Sequence, residues 1–268
     1  MLLDVAGYRT YCYTGGKPFN PAQPTAVFIH GVLNDHSVWI LQTRYLAHHG
    51  WNVLAVDLPG HGKSGGDAPA SSEMAAEAIT ALLDAAGIEK AALIGHSWGS
   101  LIALEVAATQ PARVSQLVMV GTACPMAVSP ALLAMSQAQP FQAIDLVNQF
   151  SHLMLAPPPS AMGPGTWLYG TARALMRRVL ASNPAVNVFH RGFAACDNYK
   201  TGLDAMARVR CPVLFVLGRH DQMTPPKAAQ ALVDKAAEAT VVTVDAGHQL
   251  MLEAPEAVLS AIRDFLRL

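Results

Sequence analysis

Gly95-His96-Ser97-Trp98-Gly99 is the stretch on which the reading of this chain turns. It follows the apolar run Ala91-Ala92-Leu93-Ile94 and precedes a helical pattern from Leu101 to Thr109, so strand, sharp turn and helix succeed one another. A Gly-x-Ser-x-Gly in that setting reads as a nucleophile elbow. Its glycines let two chain segments approach closely, and the serine is held in a strained conformation with its hydroxyl above the sheet. Alone, five residues of common types could equally be an ordinary turn, so the reading depends on whether partners stand where the chemistry needs them.

Working outward, Leu2 to Ala6 and Tyr8 to Tyr13 read as two short antiparallel strands around Gly7. Ala26 to Ile29 is a continuous apolar run ending in His30-Gly31, as expected of a strand buried on both faces. A helical spacing follows from Ser37 to His49, then a strand over Val53 to Val56, an alanine-rich helix from Ser71 to Ala86, and, beyond the elbow, a strand over Val114 to Val120. This alternation predicts a doubly wound, mostly parallel sheet. From Cys124 to Arg208 the strand patterns vanish and prolines punctuate helix-like pieces. Sheet logic resumes with strands over Val213 to Leu217 and Thr240 to Val244, the eighth in all, and with helices over Pro226 to Glu238 and Pro255 to Leu268. The expected organisation is an α/β core of residues 1–123 and 209–268 carrying a helical cap, 124–208.

Charged residues make up only 14% of the 268 and hydrophobic ones 52%, which is ample for a core and unlike a disordered chain. The net charge of -1 offers no electrostatic reason for nucleic acid or an anionic membrane as partner. Met1-Leu2-Leu3-Asp4-Val5 carries an acid where a secretion signal carries positive charge, and no apolar run approaches the roughly 18 residues that span a bilayer. Cys12, Cys124, Cys196 and Cys211 show no CxxC spacing and read as reduced thiols. The expectation is a cytoplasmic monomer or homodimer. The histidines show no HExxH or paired ligand spacing, so no metal is expected.

An elbow serine needs a base, and the base needs an orienting carboxylate. Asp221 follows the strand 213–217, and His248 follows the strand 240–244. Parallel strands place their carboxyl ends at one edge, so Ser97, Asp221 and His248 are expected to converge there, in the chain order Ser, Asp, His. Gly60-His61-Gly62-Lys63-Ser64-Gly65 imitates phosphate-binding loops. A P-loop would need glycine at position 57, which is Asp57, and a dinucleotide loop would need a helix at once, whereas Asp67-Ala68-Pro69-Ala70 delays it. No cofactor is expected.

With His30-Gly31, Asp57 to Ser64, Gly95 to Gly99, Gly218-Arg219-His220-Asp221, and Gly247-His248 followed by Glu253-Ala254-Pro255-Glu256 in this order, the chain resembles the α/β-hydrolase-fold superfamily over nearly all its length. The resemblance implies that Ser97 attacks a carbonyl, that His248 serves as base and Asp221 as its orienting acid, and that the main-chain N–H groups of Val32 and Trp98 hold the oxyanion. A serine rather than an aspartate at the elbow favours acyl transfer over halide removal or epoxide opening. Gly-x-Ser-Trp-Gly-Ser is similar to proline iminopeptidases. Those need acidic cap residues, however, and 125–208 holds only Asp145, Asp197 and Asp204.

The cap should supply substrate choice. Its methionines and aromatics suit a hydrophobic group, and His96, Met126, Phe141, Phe150, Met154 and Trp167 are the pocket candidates. For any single cap residue, packing onto the core is the competing reading. Arg173, Arg177 and Arg178 read as a solvated helix face, and Asp57, Asp245, His30 and His220 as structural. The expected activity is hydrolysis of carboxylic esters with small to medium hydrophobic acyl or aryl groups through an acyl-enzyme. The alternatives are a thioesterase, a carbon-carbon hydrolase, an aminopeptidase, or a non-catalytic ligand-binding protein of this fold.

Overall fold

The computed structural model describes residues 1–153 and 167–267. The chain opens with strands β1 (Leu2–Val5), β2 (Tyr8–Tyr13) and β3 (Thr25–Ile29), then helix α1 (Ile40–His48), β4 (Asn52–Val56), α2 (Ser72–Ala85), β5 (Ala91–His96), α3 (Trp98–Thr109) and β6 (Val114–Val120). Five helices follow: α4 (Pro130–Ala138), α5 (Pro140–Ser151), α6 (Leu168–Ser182), α7 (Val188–Asn198) and α8 (Gly202–Arg208). The chain then returns through β7 (Val213–Gly218), α9 (Gln230–Lys235), β8 (Ala239–Val244), α10 (Leu250–Glu253) and α11 (Pro255–Leu266).

The eight strands form one sheet in the order β1-β2-β4-β3-β5-β6-β7-β8. β1 with β2 and β2 with β4 pair antiparallel, and all other neighbours pair parallel. β3, β4, β5 and β7 are buried at every residue, which is why their sequences read as unbroken apolar runs. β8 closes the edge and exposes most of its residues. α1 packs on α11, and α3 packs on α2 and α8, giving the two helical layers. α3 is buried from Trp98 to Ala108 and apolar nearly all round, as a helix enclosed by other elements must be. Its one acid, Glu105, accepts a hydrogen bond from the Tyr199 hydroxyl at 2.7 Å.

Two boundaries differ from the sequence reading. The expected helices over 37–49 and 226–238 each begin as a short 3-10 turn, at His36–Trp39 and Pro226–Ala229, before the α-helix sets in. α8 lies on α3 and α9, beside the sheet, while α4 packs on α5 and α7, and α5 on α6. A helical sequence pattern does not say on which layer the helix rests. Among the described residues no helix is long and apolar enough to cross a membrane.

The centre of the sheet carries its tightest packing. A Cβ on Gly95 would meet the Gly99 carbonyl oxygen at 2.1 Å, and one on Gly99 would meet that of Ile29 at 2.3 Å. Both obstacles are main chain and cannot swing aside. Gly95→Ala is therefore expected to cost about 3 kcal/mol in urea denaturation, at the upper end of overpacking penalties. Gly65→Ala, whose Cβ would meet only ordinary contact at 3.7 Å, should change stability by less than about 0.5 kcal/mol.

Candidate active site

β5 delivers Ser97 at φ 53° and ψ -121°, a conformation costing about 1–3 kcal/mol for a residue with a side chain. The surrounding chain enforces it. Ser97 N–H donates to the Val120 carbonyl at 2.9 Å, and α3 starts at the next residue.

Asp221 and His248 meet across the ends of β7 and β8. His248 Nδ1 lies 2.8 Å from Asp221 Oδ2, with both side chains almost fully buried. Asp221 Oδ1 accepts the N–H groups of Met223 and Thr224 at 2.8 and 2.7 Å, and Oδ2 accepts the Thr224 hydroxyl at 2.7 Å. Burial works to raise the Asp221 carboxyl. The adjoining His248 and the Thr224 donors outweigh it and hold the group below the usual carboxylate range. With Nδ1 engaged by the carboxylate, Nε2 is the imidazole nitrogen left for proton transfer. Ser97 and His248 line one cavity, without a hydrogen bond between the hydroxyl and the ring.

The N–H groups of Val32 and Trp98 make no main-chain hydrogen bond among the described residues, and Val32 lines the same cavity as Ser97. The Trp98 amide is the first of α3, where free donors and the helix dipole favour negative charge. His30 sets the loop that carries Val32. Its Nδ1 lies 2.8 Å from the Gly31 carbonyl, and its Nε2 accepts the Leu58 N–H at 3.1 Å, so the ring is neutral and bridges two strand ends. Burial pushes its pKa down, in keeping with that role. His96 braces His248 from the other side, donating Nε2–H to the His248 carbonyl at 2.9 Å.

Of the pocket candidates, His96 lines the cavity. Phe141 and Phe150 point outward, 56% and 43% exposed, because α5 turns Ala143, Ile144, Val147, Asn148 and Ser151 inward, at helical spacing, instead. Trp167 is also exposed and lines a separate groove with Val38 and Leu175. Met126 is buried in the core without reaching the cavity, and Met154 lies outside the described residues. The cavity wall is instead made apolar by Val147, Met176, Phe193 and Met223 and polar by Asn34, Ser151 and Gln249. Met176 and Phe193 belong to the cap methionines and aromatics that the sequence reading pointed to, whereas Asn34, Val147, Ser151, Met223 and Gln249 were missed. The inward phase of α5 was legible in its apolar spacing, and Gln249 is the neighbour of His248.

Several charged residues outside the cavity have structural partners. Asp35, His36 and Asp57 bring ligand atoms within 4.8 Å of one another, yet every carboxylate oxygen is taken. Those of Asp35 accept from Ser37 and Arg178, and those of Asp57 from His36 and the Lys63 N–H. The cluster thus ties its loops together through hydrogen bonds within the protein. The helix face expected to be solvated is ion-paired: Arg173 and Arg177 on Asp145, Arg178 on Asp35. His220 pairs with the exposed Asp245 at 2.9 Å.

Two buried histidines predict a pH response. His96 is pushed down to about 3 by burial and then by the charge of His248, and His61 to about 3 by burial and then by His30. An unfolded histidine titrates near 6.5, so between pH 6.5 and 3 the unfolded chain binds more protons than the folded one. This stability is complete above about pH 6.5 and is lost as pH falls through that window. Urea denaturation should show a loss of about 2 kcal/mol per histidine between pH 7 and pH 5, and His61→Gln should flatten the slope.

The chain has relatives among known proteins. A protein of Bos taurus called protein ABHD8 is 28% identical over 252 residues, covering 89% of this chain but only 55% of its own length. This chain thus spans about half of that relative. A pimeloyl-acyl-carrier protein methyl ester esterase of Neisseria meningitidis is 29% identical over 232 residues, 81% of this chain and 68% of the relative. Among solved structures, the enol-lactonase of Burkholderia xenovorans LB400 superposes with a TM-score of 0.83 over 100% of both chains at 21% identity, a likeness of fold. The profile of the family described as alpha/beta hydrolase fold matches residues 24–255, and the chain belongs to that family.

Proposed function

We propose that this protein hydrolyses carboxylic esters through an acyl-enzyme, with Ser97 as nucleophile, His248 as general base and acid, and Asp221 as the carboxylate that orients it. The observation that carries the reading is the joint placement of a strained elbow serine and a buried His248–Asp221 pair on one cavity. The names of relatives support it. One is a pimeloyl-acyl-carrier protein methyl ester esterase, and another, from Haemophilus influenzae, is a putative esterase/lipase.

In the proposed sequence, His248 Nε2 takes the Ser97 proton as Oγ bonds the ester carbon. The carbonyl electrons move onto oxygen, where the Val32 and Trp98 amides stabilise the charge. Losing one such donor costs about 2.7–4 kcal/mol in comparable sites. Collapse of the intermediate expels the alcohol with the proton from His248, leaving the acyl group on Ser97. A water, deprotonated by His248, then releases the acid and restores the hydroxyl. Asp221 keeps Nδ1 protonated and steadies the imidazolium through both halves. The apolar wall of Val147, Met176, Phe193 and Met223 suits a small to medium hydrophobic acyl or aryl group. No carboxylate belongs to the described cavity wall, so nothing there recognises the free amine that an aminopeptidase substrate carries.

The test is a panel of short nitrophenyl esters with fluorophosphonate labelling. Ser97→Ala should lose at least about 10^3-fold in kcat and all labelling, and Asp221→Asn about 10^4-fold in kcat with the fold intact. Undiminished turnover in Ser97→Ala would sink the mechanism.

A further inference from the structure

A folded protein leaves few buried polar atoms without partners, and each one left is a cost of about 1–3 kcal/mol that invites an explanation. Among the described residues nine such side-chain atoms occur, and three belong to residues lining the Ser97 cavity: His96 Nδ1, Ser151 Oγ and Gln249 Oε1. His96 Nδ1 lies against Gly31 and has no room for a ligand. Ser151 and Gln249 are different. Ser151 is fully buried and Gln249 is 3% exposed, and the structure fixes the two relative to each other and to His248. The Ser151 carbonyl, at the end of α5, accepts the N–H groups of His248 at 2.8 Å and of Gln249 at 3.1 Å. A cap helix thus presents a hydroxyl, and the base's own loop a carboxamide, on rigid main chain next to the reacting serine.

We infer that Ser151 and Gln249 form a polar subsite that selects esters carrying a hydroxyl group within a few bonds of the scissile carbonyl. This rests on the ester hydrolysis proposed above and names its substrate class. The chemistry follows from the atoms. Gln249 Oε1 only accepts, so its complement must donate, while Ser151 Oγ both donates and accepts, as a hydroxyl partner requires. No acid or base of fixed charge belongs to the cavity wall, so the complement is neutral. A hydroxyl is the smallest neutral donor, which suits a cavity as narrow as this one. A substrate hydroxyl brought to these two atoms gives both a partner, while a methylene in its place leaves both protein groups unpaired.

The experiment compares matched esters by pH-stat: ethyl lactate against ethyl propanoate for a hydroxyl on the acyl side, and 2-hydroxyethyl acetate against ethyl acetate for the alcohol side. At least one pair should show kcat/KM about 10-fold or more in favour of the hydroxylated ester. In Ser151→Ala and in Gln249→Leu that ratio should fall towards one, and Ser151→Thr, which keeps the hydroxyl, should preserve it. Because the ratio is taken within each variant, loss of folded protein cancels. Ratios near one for both pairs in the intact protein, or a preference that survives in the double variant, overturn the subsite while leaving ester hydrolysis standing. If no ester turns over, hydrolysis itself fails. Saturation-transfer NMR on Ser97→Ala then decides the subsite: preferential binding of the hydroxylated member sustains it, and equal binding of both rejects it.

Discussion

Everything at the reacting end of this molecule depends on how closely β5 and the start of α3 press against β3. Ile29 pairs with Gly95 in the parallel register, and the backbone of Gly99 lies on the carbonyls of Ile29 and His30. Two chain segments therefore leave the sheet side by side from matched residues. Val32 stands three residues beyond Ile29, and Trp98 three beyond Gly95, so one register places both candidate oxyanion amides. Side chains at Gly95 or Gly99 would force the segments apart and move both donors at once.

A second parallel register builds the other half. Gly218 pairs with Val244, and the chain then reaches Asp221 and His248 within a few residues of that pair. Asp221 and His248 are 27 positions apart in the chain, yet they meet at 2.8 Å because the sheet makes their strand ends neighbours. Thr224 completes the arrangement by holding the carboxylate through both main chain and hydroxyl. A carboxylate supplied with that many donors stays ionised even when buried, which an orienting acid requires.

Helices α5 and α6 are tied to the candidate site by hydrogen bonds and an ion pair. The Ser151 carbonyl receives two amides from the His248 loop, and the Glu253 carboxylate bridges the Gly247 and Leu153 N–H groups at 2.8 and 2.6 Å. Burial raises the Glu253 carboxyl against the pull of those two donors. On the opposite side Arg178 of α6 reaches Asp35, on the loop that carries Val32. The Glu253-Ala254-Pro255-Glu256 motif, noticed in the sequence only as a family feature, thus has a physical function as a clamp between cap and base.

The sequence by itself determined the sheet, its strand–helix alternation, and which serine, aspartate and histidine would gather at one edge. Those follow from apolar runs and from residues at strand ends, both local properties that a parallel sheet carries to a common edge. It did not determine the pocket. Phe141, Phe150 and Trp167 are among the residues a composition argument selects, and they are exposed, while Met176 and Phe193 from the same set, together with Ser151 and Gln249, which composition ignores, line the cavity. The phase of a helix about its axis, and the layer on which α8 rests, are set by contacts with chain segments distant in sequence. Only the tertiary structure carries that information, since burial of a given side chain depends on what packs opposite it.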